Sequence, residues 1–272
     1  MMSYRNKNLL LFFLMVFMIG CGGKKIQRDG PGKSIIPEIP DDAVPKPEAR
    51  SKYGNGRDLG NGPQYEVLEK TYTVMENSFD YQESGVASWY GSKFHGNLTS
   101  NREIYDMYKM TAAHKTLPLP TYVHVRNLRN NKTITVRVND RGPFVTNRII
   151  DLSYAAAMKL DMVNDGTSLV EVTAINFDKP TKKTLPPVAT TQISPNQIYV
   201  QVGAFKELKN AERRLSELLN YRFNKAFIHE EFINTETLYR VRIGPIINVA
   251  QYDLLIKSLE AFGIKDKYLI TD

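Results

Sequence analysis

The sequence contains one cysteine and four histidines among 272 residues. One cysteine excludes an intramolecular disulfide framework and any zinc or iron–sulfur site built from several cysteines. The histidines form no HExxH motif or comparable metal-binding spacing, so we expect no metal and no cofactor. The longest apolar run, Leu9–Ile19, has 11 residues. A membrane-spanning helix needs about 20, so we expect no helix that spans the membrane.

The formal net charge of +7 does not come from the segments expected to fold. Residues 1–63 carry +4 and residues 181–195 carry +2, whereas residues 64–180 are neutral and residues 196–272 carry +1. Nucleic-acid binding depends on clustered Lys and Arg side chains that neutralise phosphates. We therefore expect no nucleic-acid partner. With 42% hydrophobic residues, the chain has enough apolar side chains for a globular core.

The N-terminal segment has the pattern of a secretory signal. Arg5 and Lys7 precede the apolar run, which ends at Gly20 and Cys21. Residues 18–21 (MIGC) resemble a bacterial lipobox, so we predict a signal peptide over residues 1–20 and a lipid on Cys21. Gly22 follows where an Asp would favour the inner membrane. The sequence thus predicts a lipoprotein of the cell envelope, anchored in the outer membrane and facing the periplasm.

Two segments are rich in residues that interrupt regular structure. Residues 22–63 contain 8 Gly and 6 Pro, and residues 179–196 contain four Pro. We predict a disordered tether over residues 21–63, starting at the lipidated cysteine, and a linker over residues 179–196. The remaining chain is divided into two folded domains, residues 64–178 and residues 197–272.

The first domain is predicted to be all-β. Residues 122–128 (YVHVRNL) and 133–138 (TITVRV) alternate with a period of two, and an Asn-Asn pair between them suits a short turn. Residues 85–90 and 168–175 are further predicted strands. The single predicted helix begins at Tyr154, with Ser153 as its N-cap. Many strands and one short helix favour a small closed barrel.

The second domain has the element order β-α-β-β-α-β, which is typical of a ferredoxin-like α+β fold. Its helices would cover one face of the sheet and leave the other open. Strand alternation places four side chains on that open face: Tyr199, Gln201, Arg240 and Arg242. They form either a binding surface or an ordinary solvated face, and the alternation alone does not distinguish the two.

Acidic residues of the first domain suggest catalysis on a glycosidic bond, which needs a proton donor and a group that stabilises the developing oxocarbenium charge. The candidates are Glu103, Asp106, Asp140 and Asp151, with His114 as a group that orients or tunes one of them. The alternative is structural, because acids in turns often cap backbone N–H groups. Trp89 and Tyr90 either stack on a sugar ring or fill the barrel.

Several runs of this sequence resemble the rare lipoprotein A (RlpA) family. In the first domain they are GVASWYG (85–91), KFHGNLTSNREIYDM (93–107), TAAHKTLPLPTYVHVRNL (111–128), VRVNDRGPF (136–144) and RIIDLSYAAAMKL (148–160). They are similar to the family's double-psi β-barrel. The runs YVQVGAF (199–205) and YRVRIGP (239–245) are similar to its C-terminal SPOR domain.

The resemblance implies a septal lytic transglycosylase of peptidoglycan, whose SPOR domain binds glycan strands that lack stem peptides. It carries site roles to Glu103, His114 and Asp140, with Asp106 in the same motif as Glu103. Arg102 stands where the family usually has Gly, which puts the conformation of that loop in question. The barrel also resembles that of expansins, which loosen polysaccharide without hydrolysing it. The alternative function is therefore a non-catalytic peptidoglycan-binding lipoprotein.

The mechanism that follows from the resemblance needs no water in the bond-breaking step. Asp140 would protonate the glycosidic oxygen between N-acetylmuramic acid and N-acetylglucosamine. The same carboxylate would then accept the proton of the muramic C6 hydroxyl as that oxygen attacks the anomeric carbon, giving a 1,6-anhydro end. Glu103 and His114 would position the substrate and tune the acid.

Overall fold

The computed structural model describes residue 30 and residues 37–52, 60–177, 197–233 and 236–272. The predicted signal peptide, Cys21 and the predicted linker 179–196 lie outside the described residues. Within the described ranges, no helix is long and apolar enough to cross a membrane.

The first domain is a closed barrel preceded by a small hairpin, as the alternating sequence predicted. The hairpin pairs β1 (Gln64–Val67) with β2 (Lys70–Thr73). Six strands form the barrel: β3 (Gln82–Tyr90), β4 (Thr111–His114), β5 (Thr121–Asn127), β6 (Thr133–Asp140), β7 (Ile150–Ser153) and β8 (Thr167–Ala174). They close in the order β3-β7-β4-β6-β5-β8, with parallel pairs β3/β7 and β4/β6.

The barrel core follows from the period of two. Val123 and Val125 of β5 and Val136 and Val138 of β6 are all fully buried in the barrel core. The helix α1 (Tyr154–Lys159) follows β7, and its predicted N-cap is confirmed, because the Ser153 hydroxyl accepts a hydrogen bond from Ala156 N–H at 3.2 Å.

The prediction of a disordered tether is wrong for residues 37–52 and 60–63, which lie against the barrel. Asn61 is only 1% exposed. Its side chain donates to the Leu119 carbonyl and accepts from the Leu119 N–H, both at 2.6 Å. Ala43 N–H donates to the Thr135 carbonyl at 2.9 Å. These segments are held by hydrogen bonds to distant backbone, which leave no periodic pattern in the sequence.

The second domain has the predicted ferredoxin-like fold. Its elements are β9 (Ile198–Phe205), α2 (Leu208–Asn220), β10 (Ala226–Ile233), β11 (Glu236–Ile243), α3 (Val249–Ala261) and β12 (Tyr268–Thr271). The strands form one antiparallel sheet in the order β10-β11-β9-β12. Asn248 caps α3 by accepting from Gln251 N–H at 2.8 Å, and Gly263 just beyond the helix has φ +74°.

The two domains contact each other along the outside of the barrel. Arg148 donates two hydrogen bonds of 3.1 Å to the carboxylate of Asp253 on α3. Val86, Leu128 and Leu169 of the first domain belong to the same buried cluster as the core of the second. The apolar side chains at this contact therefore extend the core of the C-terminal domain onto the barrel surface.

Candidate active site

A β-bulge determines which way Asp140 faces. β4 pairs with β6 so that Ala112 lies opposite Val138, and the register then shifts so that Ala113 lies opposite Asp140. Ala112 and Val138 belong to the barrel core. Without the shift, alternation would turn Asp140 toward that core; the extra residue, Asn139, places it beside Ala113 on the outer face.

Asp140 is held by a loop that contains Ser100. The N–H and the hydroxyl of Ser100 donate to Asp140 Oδ1 at 2.8 and 2.6 Å, and the N–H of Arg141 donates to the same oxygen at 2.8 Å. Oδ2 has no hydrogen-bond partner among the described residues. One oxygen therefore fixes the carboxylate, and the other remains available to a ligand.

Arg141 fixes the segments that surround this loop. Its guanidinium donates to the carbonyls of Gly60 (2.6 and 2.8 Å), His114 (3.1 Å) and Leu117 (2.6 Å), and lies over the ring of Tyr65. Burial lowers the pKa of Arg141 to about 10, so the group keeps its charge at neutral pH. Arg141, the residue after Asp140, thus connects the segment at Gly60 with the loop at residues 114–117.

Glu103 supports the bulge. Its Oε2 accepts from Arg137 at 2.7 Å and from Asn139 at 2.8 Å, and its Oε1 accepts from Asn101 at 2.8 Å. Arg137 also forms a double hydrogen bond with Glu48, a residue of the segment predicted to be a tether. Since Asn139 is the bulged residue, the contacts of Glu103 help to fix the orientation of Asp140.

Arg102 has the backbone conformation that glycine favours. Its φ is +68°, in the turn where Arg102 N–H donates to the Thr99 carbonyl at 2.8 Å. The left-handed region is unfavourable for residues with a Cβ, which explains physically why Gly suits this position. The loop nevertheless places Ser100 within hydrogen-bond distance of Asp140, and Glu103 within hydrogen-bond distance of Asn139.

His114 lies apart from the acids. Its Nδ1 accepts from the N–H groups of Thr116 (3.1 Å) and Leu117 (3.0 Å), and its Nε2 is 2.8 Å from the hydroxyl of Tyr81. Burial, together with the charges of Arg141 and Lys115, lowers its pKa to about 3. The ring is therefore neutral, with its proton on Nε2. Among the described residues, the hydrogen bonds of its side chain go to Tyr81 and to the loop at Thr116 and Leu117, and none goes to an acid of the site.

Asp106 also lies outside the group around Asp140. It accepts from Tyr108 N–H at 3.0 Å and lies 3.7 Å from His95, whose Nδ1 in turn accepts from Met107 N–H. These contacts fix a turn. Within the described part of the chain, no cluster of three or more His, Cys, Asp or Glu side chains is arranged to hold a metal ion.

The aromatic candidates pack mainly against other aromatic rings. Trp89 meets Tyr154 edge to face at 5.6 Å, and Tyr90 stacks on Tyr105 at 4.2 Å. Trp89 also packs against the barrel core. One face of Tyr90 is thus already covered, although its buried hydroxyl has no hydrogen-bond partner among the described residues. Burial, with Tyr105, Asp140 and Asp151 nearby, raises its pKa well above the usual range.

Asp151 is the remaining acid, in β7. Its Oδ1 accepts a hydrogen bond from the Ser88 hydroxyl of β3. Burial raises its pKa, and the Ser88 hydrogen bond and the charges of Lys115 and Arg148 only partly oppose that shift. Asp151 was among the acids predicted from the sequence, whereas Ser88, Ser100 and Arg141 were not predicted. The position of Arg141 directly after an acid in VNDRGPF was the one signal for it.

The predicted open face of the second domain needs a correction. The four residues do share one face, but Tyr199, Gln201 and Arg242 are only 6–8% exposed. Arg242 pairs with Asp272 at 2.6 Å and lies over the Tyr199 ring, while Arg240 pairs with Glu231. Long side chains on adjacent strands cover one another, so alternation predicted the face but not its exposure.

The fold and the site define a double-psi β-barrel protein with a C-terminal SPOR domain. A family described as "Lytic transglycolase" matches residues 82–172, and the SPOR domain family matches residues 194–269. The endolytic peptidoglycan transglycosylase RlpA of Vibrio cholerae is 38% identical over 98% of this chain and 97% of its own. This chain belongs to the RlpA family.

Two further proteins are similar to this chain. The endolytic peptidoglycan transglycosylase RlpA of Pseudomonas aeruginosa (strain UCBPP-PA14) is 38% identical over 78% of this chain and 74% of its own. A crystal structure of the RlpA SPOR domain from Pseudomonas aeruginosa is 29% identical, covers 27% of this chain and 96% of its own, and has a TM-score of 0.25.

Proposed function

We propose that this protein is an endolytic lytic transglycosylase, which cleaves the bond between N-acetylmuramic acid and N-acetylglucosamine in peptidoglycan glycan strands and leaves 1,6-anhydro ends. The observation that carries the proposal is the Asp140 carboxylate, turned outward by a bulge and fixed through one oxygen only. Membership of the RlpA family supplies the class of substrate.

The reaction suits a carboxylate on an outer barrel surface. A glycan strand is long, so an endolytic enzyme needs a site that a chain can cross rather than a closed pocket. The muramic C6 hydroxyl is the nucleophile, so the enzyme exchanges protons and positions one ring, and no water molecule enters the bond-breaking step.

The cell-envelope location and the preference for denuded strands are part of the same proposal. The lipobox-like residues 18–21, followed by Gly22, support an anchor in the outer membrane, and the SPOR domain supports enrichment at septal glycan that lacks stem peptides. Replacing Cys21→Ala should abolish labelling of the protein by a fatty acid in growing cells; equal labelling of the wild type and the variant would refute the anchor.

The deciding experiment incubates the mature protein with denuded glycan strands and with peptide-bearing sacculi, and measures 1,6-anhydro ends by mass spectrometry. We expect release from denuded strands, and a loss of at least about a hundredfold with Asp140→Asn. Thermal unfolding of the variant checks its fold. Binding to glycan with no anhydro ends from the wild type would instead favour the non-catalytic wall-binding lipoprotein.

A further inference from the structure

Asp151 and Asp140 lie in one row across the outer face of the barrel. In the strand ladder, Ser88 of β3 is the partner of Asp151 in β7, Asp151 is the partner of Ala113 in β4, and Ala113 is the partner of Asp140 in β6. Directly paired residues point to the same side of a sheet. At about 4.8 Å per strand, the two acids are separated by about 10 Å of backbone.

The neighbours of Asp151 confirm which side the row faces. Ile150 and Leu152, on either side of it, are both fully buried in the barrel core. Since successive side chains of a strand alternate, Asp151 points away from that core. The bulge that turns Asp140 outward therefore brings it onto the same face as Asp151, which places two carboxyl groups on one surface.

The residues between the two acids are small. The residue between them in the ladder is alanine, and Gly142 passes above it. A Cβ at Gly142 would lie 3.7 Å from Ala113 Cβ and 3.8 Å from Asp151 Oδ2. Gly142 adds no side chain above Asp151 Oδ2, and this oxygen has no hydrogen-bond partner among the described residues.

The two acids have different surroundings. Asp140 accepts three hydrogen bonds on one oxygen, all from N–H or O–H donors, which orient its other oxygen as an acceptor for a ligand. Asp151 accepts one, from Ser88, and its burial favours the protonated form. Pairs of carboxyl groups whose environments differ in this way commonly divide the acid and base roles of a reaction.

We propose that Asp151 is the proton donor to the leaving oxygen and that Asp140 is the base, which rests on the proposed transglycosylase function. As the bond from muramic C1 to the glucosamine O4 breaks, Asp151 gives its proton to O4. The C6 oxygen bonds to C1, and the C6 hydroxyl proton passes to Asp140. Proton exchange with solvent then restores both groups. This replaces the expectation that Asp140 performs both steps.

Both transfers occur on the same side of the muramic ring. The glycosidic oxygen of a β-linked strand leaves from the face on which the C6 oxygen forms the anhydro bridge. A donor and a base on one barrel surface can therefore reach both oxygens without the ring turning over. A single strand that crosses the barrel surface with its muramic ring between the two carboxyl groups satisfies this geometry.

The test compares Asp151→Asn and Asp140→Asn in the mature chain on two substrates. One is denuded glycan; the other is a 4-nitrophenyl β-glycoside of an N-acetylglucosamine–N-acetylmuramic acid disaccharide, whose leaving group needs no protonation. We expect Asp151→Asn to lose at least about a hundredfold on glycan but to stay within about tenfold of the wild type on the aryl glycoside. Asp140→Asn should lose activity on both.

Near wild-type activity of Asp151→Asn on glycan would overturn the assignment, as would an equal loss on both substrates by the folded variant. A wild type that releases no anhydro ends would refute the proposed function instead, so the two failures are distinguishable. Thermal unfolding of each variant shows whether it is folded.

Ser88→Ala provides an independent measurement if Asp151→Asn does not fold. The Ser88 hydrogen bond lowers the pKa of Asp151, as do the charges of Lys115 and Arg148, whereas Asp140 raises it. Removing the hydroxyl should raise that pKa, so activity should persist to higher pH before the donor ionises. An alkaline limb that stays at the wild-type pH would overturn the role of Asp151.

Discussion

The barrel surface and the sheet face of the SPOR domain both carry charged residues that the sequence suggested would meet glycan, but they differ in how those charges are satisfied. On the barrel, Asp140 and Asp151 each use one oxygen for internal hydrogen bonds and leave the other without a partner among the described residues. On the sheet, Arg240 and Arg242 are paired with acids of the same domain.

The difference shows that charge alone does not identify a binding surface. A carboxylate with an available oxygen can exchange a proton with a ligand, whereas the charge of a paired arginine is already balanced by its internal partner. The two carboxyl groups of the barrel surface therefore each have an oxygen that is available to a ligand. Glycan binding by the sheet face would use the guanidinium N–H groups that do not donate to Glu231 or Asp272, or would displace these acids.

The largest stability effect should follow from Arg141→Lys. Lysine keeps the charge but cannot donate to the carbonyls of Gly60, His114 and Leu117 together, which leaves buried acceptors unpaired. We expect a loss of roughly 3 kcal/mol in the free energy of unfolding, measured by urea denaturation with the fluorescence of Trp89, the only tryptophan.

The matched control is Arg240→Lys in the SPOR domain, measured by calorimetry because that domain has no tryptophan. Its partly exposed pair with Glu231 should contribute less than about 1 kcal/mol. Equal losses in the two variants would contradict the distinction between a loop-fixing arginine and a surface pair.

A loss of stability of intermediate size should appear as the pH falls. His114 has a pKa of about 3 in the folded barrel against 6.5 for an unperturbed ring, so folding favours the neutral form. Its contribution to stability is complete above about pH 6.5 and decreases as the pH falls toward 3, by up to about 1.4 kcal/mol per pH unit. Between pH 6.5 and 5 the barrel should lose about 2 kcal/mol from this group.

Urea denaturation at both pH values, followed by Trp89 fluorescence, measures this loss. Comparison with His114→Gln isolates the histidine, because the acids titrate in both proteins. The variant will be less stable at neutral pH, but its stability should fall less steeply with acid. The same slope in both proteins would show that His114 is protonated without cost in the folded barrel.

The smallest stability effect should come from Arg240→Ala, at less than about 1 kcal/mol. If glycan exchanges with Glu231 for this guanidinium, the variant should bind denuded sacculi several-fold more weakly in a pelleting assay. Lys206→Ala is the matched control, because Lys206 also forms an exposed pair, with Glu236 at 2.8 Å, but is not among the predicted glycan contacts. Equal binding by the wild type, Arg240→Ala and Lys206→Ala would show that Arg240 is not part of the glycan site.

Sequence patterns predicted the longer elements well. Strands β5 and β6 alternate clearly, and α3 has both its capping residue and its terminal glycine. The four-residue strands β4 and β7 were not predicted as strands, because four residues are too few to establish a period. β7 carries Asp151, and β4 lies between β7 and the strand that carries Asp140. The sequence therefore predicted the individual acids but not that these two lie on one surface.

The sequence by itself determined the two folds, the family and the acids available for catalysis, because these depend on local periodicity, capping and motifs. The tertiary structure decided which acids lie together and which charges remain available. Pairing between distant strands placed the bulge that turns Asp140 outward beside Asp151, and contacts across the sheet buried Arg242. Strand register depends on partners far along the chain, so no local pattern determines it.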